Sequence, residues 1–154
     1  MNFHESIWDG KIVDTIRESI RQSKLIVIKV GSAVLTRGDK GLDLRVVNRL
    51  VDQISSIHDM GKKIILVSSG AVATGATYLK YPLREKLSLE KKQAAAAVGQ
   101  SRLMYIYDEA FEKYGKITAQ VLLTKDDLKS RQRFLNARNT FFYFTIRRCN
   151  TNCK

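Results

Sequence analysis

The stretch Lys24-Leu25-Ile26-Val27-Ile28-Lys29-Val30-Gly31-Ser32 sets an apolar run directly before a lysine, a glycine and a hydroxyl residue. Ile, Val and Leu bounded by a glycine read as a buried strand, and the Gly31-Ser32 turn lets backbone N–H groups approach an anion closely. Lys29 adds a mobile point charge suited to phosphoryl oxygens. The pattern recurs where Ile64-Ile65-Leu66-Val67 runs into Ser68-Ser69-Gly70-Ala71-Val72-Ala73, a small-residue turn that opens a helix. Two such junctions at one end of a sheet make a crevice for charged small molecules.

With 154 residues, 44% of them hydrophobic, the chain can bury one core and reads as one domain or part of one. No stretch approaches the roughly 18 consecutive apolar residues of a membrane span. Met1-Asn2-Phe3-His4-Glu5-Ser6 lacks a basic leader and an apolar segment, so no secretory signal is read there, and Glu5, Asp9, Asp14 and Glu18 argue against an organelle transit peptide. Cys149 and Cys153 both lie in the last six residues and cannot staple the main body, which points to a reducing compartment, the cytoplasm. Their spacing lacks the companion ligands of a metal site, so no metal ligands are assigned. The net charge of +12 raises a nucleic-acid-binding reading. From Lys125 onward, however, eight basic residues face only Asp126 and Asp127, so half of that +12 sits in the last thirty residues.

Ile12, Val13, Ile16 and Ile20 share one face of a helix expected over residues 7–22, before the first strand. Val47, Leu50, Val51, Ile54 and Ile57 form a second apolar stripe, which Asp43 can cap at its start and Gly61 at its end. Residues 25–67 therefore read as strand, helix, strand, long enough for a right-handed parallel crossover. A helix is expected from Ala71 to about Leu79, and Pro82 marks a connection. Residues 89–113 read as a long helix whose run Ala94-Ala95-Ala96-Ala97 permits close packing. Residues 117–123 read as a third strand, followed by a helical region that Thr124, Asp126 and Asp127 begin. The alternation predicts an α/β fold with a parallel sheet covered on both faces.

Taken together, these segments are similar to the amino-acid kinase superfamily. The strings are Val27-Ile28-Lys29-Val30-Gly31-Ser32-Ala33-Val34-Leu35-Thr36 and Val67-Ser68-Ser69-Gly70-Ala71-Val72-Ala73. Lys92-Gln93-Ala94-Ala95-Ala96-Ala97-Val98-Gly99-Gln100-Ser101-Arg102-Leu103, Gln120-Val121-Leu122-Leu123-Thr124 and Arg133-Phe134-Leu135-Asn136-Ala137-Arg138-Asn139-Thr140 narrow the resemblance to the glutamate 5-kinase family. It implies the N-terminal half of a three-layer αβα sandwich with a mainly parallel sheet, a helical extension over residues 1–23, a kinase domain part over residues 24–140 and a divergent tail over residues 141–154. It also implies transfer of the ATP γ-phosphoryl group to the side-chain carboxylate of L-glutamate, with Mg²⁺, as the first step of proline synthesis. Lys29 is then the catalytic lysine, Lys29, Gly31 and Ser32 face the ATP phosphates, and Ser69, Gly70 and Ala71 form the glutamate turn. Homo-oligomers and functional coupling to a glutamyl phosphate reductase, in some relatives fused to the kinase, follow from the same resemblance.

Each assignment has a second reading. Lys29 can be a solvated strand end, Ser69 and Gly70 a strand-to-helix cap, the alanine run simple packing, and Phe134 and Leu135 core or subunit interface. After Thr140 the residues Phe141-Phe142-Tyr143-Phe144-Thr145-Ile146 and beyond depart from the family pattern. That departure reads as a frameshift or premature end, with the Mg²⁺ ligands, the second lysine and the acidic part of the glutamate site outside this chain. A chain so read is expected to be inactive alone and to expose an apolar sheet edge. The alternatives are an interaction fragment that docks on intact kinase subunits and a basic nucleic-acid-binding module.

Overall fold

The computed structural model of the chain describes residues 10–36, 41–82 and 87–146. The leader reading at residues 1–9, the thiols Cys149 and Cys153, and the basic residues Arg147, Arg148 and Lys154 lie outside the described residues. In chain order the elements are α1 (Gly10–Gln22), β1 (Leu25–Val30), α2 (Ser32–Leu35), α3 (Leu44–Asp59), β2 (Lys63–Ser68), α4 (Ala71–Tyr78), α5 (Leu89–Glu112), α6 (Lys125–Lys129) and α7 (Arg131–Ile146).

The expected strand, helix, strand unit forms. β1 and β2 are parallel neighbours, with Ile28 opposite Leu66, Lys29 opposite Val67 and Val30 opposite Ser68. α3 makes the crossover. The Asp43 carboxylate accepts from the Arg45 N–H at 3.0 Å to cap its start, and Gly61, at φ +83°, donates its N–H to the His58 carbonyl at 2.9 Å to turn the chain out of its end.

Strand alternation decides where the core sits. Ile28, Val30 and Leu66 point to one face, where they pack with Leu35 of α2, Val47 and Val51 of α3, and Leu103, Tyr107 and Ala110 of α5. The other face carries Leu25, Val27 and Val67, exposed by 45%, 60% and 46%. Among the described residues, one face of the parallel pair is therefore covered by helices, and the expected cover on the second face is partial. α1 lies at its margin, where Ile16 and Ile20 line a cleft with Leu25 and Val27. The Lys62 ammonium holds the end of α1 through the Arg21 carbonyl and, at 2.7 Å, the Ser23 carbonyl.

α4 and α5 touch backbone to backbone. A Cβ at Gly75 would lie 2.7 Å from the Ala95 carbonyl carbon and 2.8 Å from the Gly99 nitrogen, and one at Gly99 would lie 2.9 Å from the Ala71 carbonyl carbon. The close packing expected of the alanine run is thus centred on Ala95, fully buried, and on Gly99, while Ala94 and Ala97 are exposed.

The expected third strand does not form. Residues 116–124 run between α5 and α6 without strand pairing, and Ile117 and Leu122 are exposed by 74% and 70%. A strand exists only through its partner's N–H and C=O groups, and the start of this segment is held elsewhere. Lys116 pairs with Asp59 at the end of α3, and the Thr118 hydroxyl donates to Asp108 of α5 at 2.9 Å.

The helical region after Thr124 divides into α6 and α7. Thr124 and Asp127 form a reciprocal capping box, with the Thr124 N–H donating to Asp127 Oδ2 at 2.8 Å and the Asp127 N–H donating to Thr124 Oγ1 at 3.2 Å. Bonds from the Thr124 hydroxyl and N–H hold the Asp127 carboxyl below the usual carboxylate range. Because this value is depressed by folding, the cap's contribution is complete above the unfolded carboxyl value of about 4 and is lost as pH falls through the depressed one. Amide exchange at Asp127, followed from pH 6 downward, should accelerate only in that acid window beyond the intrinsic pH trend. Asp127→Asn should abolish the window.

Candidate functional site

Both small-residue turns sit at the same end of the parallel pair. Val30 and Ser68 are register partners, so Gly31 and Ser69 leave neighbouring strand ends side by side. Ser69 ties them together: its N–H and its hydroxyl both donate to the Val30 carbonyl, at 3.3 and 3.2 Å. The structure thus brings the Lys29, Gly31, Ser32 group beside the Ser69, Gly70, Ala71 group.

Lys29 is exposed and shares its strand face with Val27 and Val67. Its ammonium folds back over the turn, 3.8 Å from where a Cβ of Gly31 would stand. Gly31 precedes α2 in an extended conformation, with Ser32 exposed as the first helical residue. A cleft of about 240 Å³ opens beside Lys29, lined by Val30, Val34, Val46, Arg49, Leu50 and Gln53. The placement suits an anion, because a mobile ammonium stands above a turn that has no side chain to obstruct it.

Gly70 is buried and precedes α4, and a Cβ there would lie 3.3 Å from Leu35 Cδ1 and 3.4 Å from Leu103 Cδ1. Its glycine therefore has a packing reason as well as any binding one. The Gly70 carbonyl accepts from both the N–H and the hydroxyl of Thr74, each at 2.9 Å. Ala71 begins α4 with its carbonyl against Gly99. The first amides of α4 have no partner within the helix and open toward the turn.

Three supporting residues had no role assigned from the sequence: Thr74, Gly99 and Tyr107. The Tyr107 hydroxyl lies 3.0 Å from Ser68 Oγ, and burial pushes its phenol above the ordinary value. The signal was present as spacing, because Ala95, Gly99, Leu103 and Tyr107 recur every four residues along α5. Which element that stripe would face needed the fold. Arg102 instead stacks over the Tyr78 ring at 5.0 Å, on the flank of α4.

Among the described residues, no group of three or more His, Cys, Asp or Glu side chains is placed to hold a metal ion. Also among the described residues, no helix is long and apolar enough to cross a membrane.

The sequence profile of the Amino acid kinase family matches residues 24–144. A glutamate 5-kinase of Oleidesulfovibrio alaskensis is 56% identical over 132 residues, which cover 86% of this chain and 32% of that protein. One from Nitratidesulfovibrio vulgaris is 54% identical over 123 residues, covering 80% and 32%, and one from Teredinibacter turnerae is 50% identical over 124 residues, covering 80% and 33%. The chain spans about a third of the length of these relatives. A parallel strand, helix, strand unit with lysine and glycine at the first strand end, and a family match over most of its length, agree: this chain belongs to the amino acid kinase family.

Proposed function

We propose that this chain forms the phosphate-facing and glutamate-facing turns of a glutamate 5-kinase. In that reaction a side-chain carboxylate oxygen of L-glutamate attacks the γ-phosphorus of ATP, the bond to the β,γ-bridging oxygen breaks, and L-glutamyl 5-phosphate and ADP leave. The observation that carries the reading is the meeting of the two turns at one end of a parallel strand pair, in a stretch closely similar to proteins of that name.

The nucleophile is already an anion near neutral pH, so the protein needs no general base, and its task is positioning and charge neutralisation. Lys29 supplies positive charge to the transferring phosphoryl group, while Gly31 and Ser32 let the backbone approach the phosphates. On the other side, the Ser69 hydroxyl donates its hydrogen bond to the Val30 carbonyl, so the lone pairs of its oxygen are left to accept, which suits the substrate ammonium. The first amides of α4, at Gly70 and Ala71, suit a substrate carboxylate. On the same reading residues 24–140 belong to the kinase domain, with residues 1–23 before it and 141–154 after it. The whole kinase to which these turns belong works in the cytoplasm as a homo-oligomer, and its product passes to a glutamyl phosphate reductase.

Binding tests the assignment directly. L-glutamate should shift the amide resonances of Ser69, Gly70 and Ala71, and ATP those of Gly31 and Ser32. Lys29→Met should weaken the ATP response roughly ten- to a hundredfold, the loss of one charge-assisted contact, and leave the glutamate response unchanged. Equal shifts from L-aspartate, or none at residues 69–71, would sink the glutamate assignment. A loose phosphoryl-transfer transition state needs several charges held together, and Lys29 is a single cation on the phosphate turn. With hydroxylamine as the trap for acyl phosphate, these 154 residues by themselves should yield no glutamyl hydroxamate above background.

A further inference from the structure

Resting on the glutamate assignment of the Ser69 turn, we propose that Tyr107 is a positioning residue for it, acting through its hydroxyl on Ser68. Tyr107 is 4% exposed, in a cluster otherwise made of Val30, Leu35, Val47, Val51, Leu103 and Ala110. A phenylalanine would fill the same space there without a polar atom to satisfy. Among the described residues the hydroxyl bonds Ser68 Oγ at 3.0 Å, and Ser68 is the last residue of β2, directly before the turn.

Successive turns of α5 meet the segment in reverse order. Gly99 lies against the Ala71 carbonyl, Leu103 against Gly70, and Tyr107 against Ser68. The first two contacts are steric and limit only how closely the chains approach. The third is a hydrogen bond, and it alone of the three fixes direction. Ser69's own bonds to the Val30 carbonyl are long, at 3.3 and 3.2 Å, near the outer limit of useful geometry. The Ser68 side chain, held from α5, therefore adds a directional restraint on the strand end to the pairing with Val30 and the bonds of Ser69. Tyr107 does not line the turn and touches no substrate, so its effect passes through Ser68.

The 154-residue chain, Tyr107→Phe, Ser68→Ala and the double variant are compared by amide hydrogen exchange and by L-glutamate titration. Loss of one such bond should speed exchange at Ser69, whose N–H is bonded to the Val30 carbonyl, by about two- to tenfold more than at Val47 and Val51 of α3. The dissociation constant for L-glutamate should rise by a similar factor in either single variant, and the double variant should be no worse than the singles. A uniform rise in exchange across turn and core, with the glutamate constant unchanged, would overturn the proposal and leave the hydroxyl as a satisfied core group. If the unmodified chain does not respond to L-glutamate, the glutamate assignment falls by itself. The ratio of turn to core exchange in Tyr107→Phe then decides the positioning claim.

Discussion

Gly99→Ala should destabilise the chain by about 3 kcal/mol or more, although an alanine inside a helix ordinarily adds about 1 kcal/mol of stability relative to glycine. The sign reverses because the new Cβ would lie 2.9 Å from the Ala71 carbonyl carbon and closer still to its oxygen. Non-bonded heavy atoms prefer roughly 3.5 Å or more, so α4 and α5 must part or bend. The opposing position is Gly75, which is equally crowded, so neither helix can give way locally. For a domain of this size, about 3 kcal/mol lowers the thermal midpoint by roughly 10 °C. Gly61→Ala is the control: its φ of +83° is strained for alanine, but nothing lies within 4 Å, so it should cost only about 1–2 kcal/mol. Thermal unfolding followed by circular dichroism separates the two, and a Gly99→Ala midpoint at or above that of the unmodified chain would contradict the tight crossing.

Leu103→Ala should cost about 2–5 kcal/mol, the range for removing a fully buried leucine side chain. Leu103 is 2% exposed, and its two Cδ atoms lie 3.4 and 3.5 Å from where a Cβ on Gly70 would stand. The cavity therefore opens directly beneath the candidate glutamate turn. Gly70→Ala alone is overpacked, because its Cβ also meets Leu35 Cδ1 at 3.3 Å. In the Leu103→Ala background that same methyl group enters the vacated space. The double variant should be more stable than the sum of the two single losses by about 1 kcal/mol or more, as measured by urea unfolding. Strict additivity would mean that Gly70 does not rest on Leu103.

Periodicity and turn chemistry made most of the local structure legible. The apolar run before Lys29, the Asp43 cap, the Gly61 stop and the stripe at Val47, Val51 and Ile54 each encode their element within a few residues. The strand expected over residues 117–123 failed for the opposite reason. Its composition suits a strand, but pairing depends on a neighbour, and the contacts of Lys116 and Thr118 hold its start at α3 and α5. Lys29, Gly31, Ser32, Ser69, Gly70 and Ala71 are legible as candidates because strand, small residue and helix follow one another in the chain. Gly99 and Tyr107 carry no such local signal because their partners lie in other elements, Tyr107 being 39 residues from Ser68, whereas Thr74 bonds Gly70 only four residues back.

What the sequence determined by itself is the set of short-range elements, the parallel crossover, the family and the two turns that carry the candidate chemistry. These depend on φ/ψ preference, capping and side-chain period, which act over a few residues. The tertiary structure decided which face of the strands is covered, how tightly α4 and α5 approach, and that α5 meets residues 71, 70 and 68 in succession. Those outcomes depend on excluded volume and on hydrogen bonds between distant segments. A linear pattern can suggest such contacts but cannot pair them, because the same stripe of small and apolar residues would suit any facing surface of the right shape.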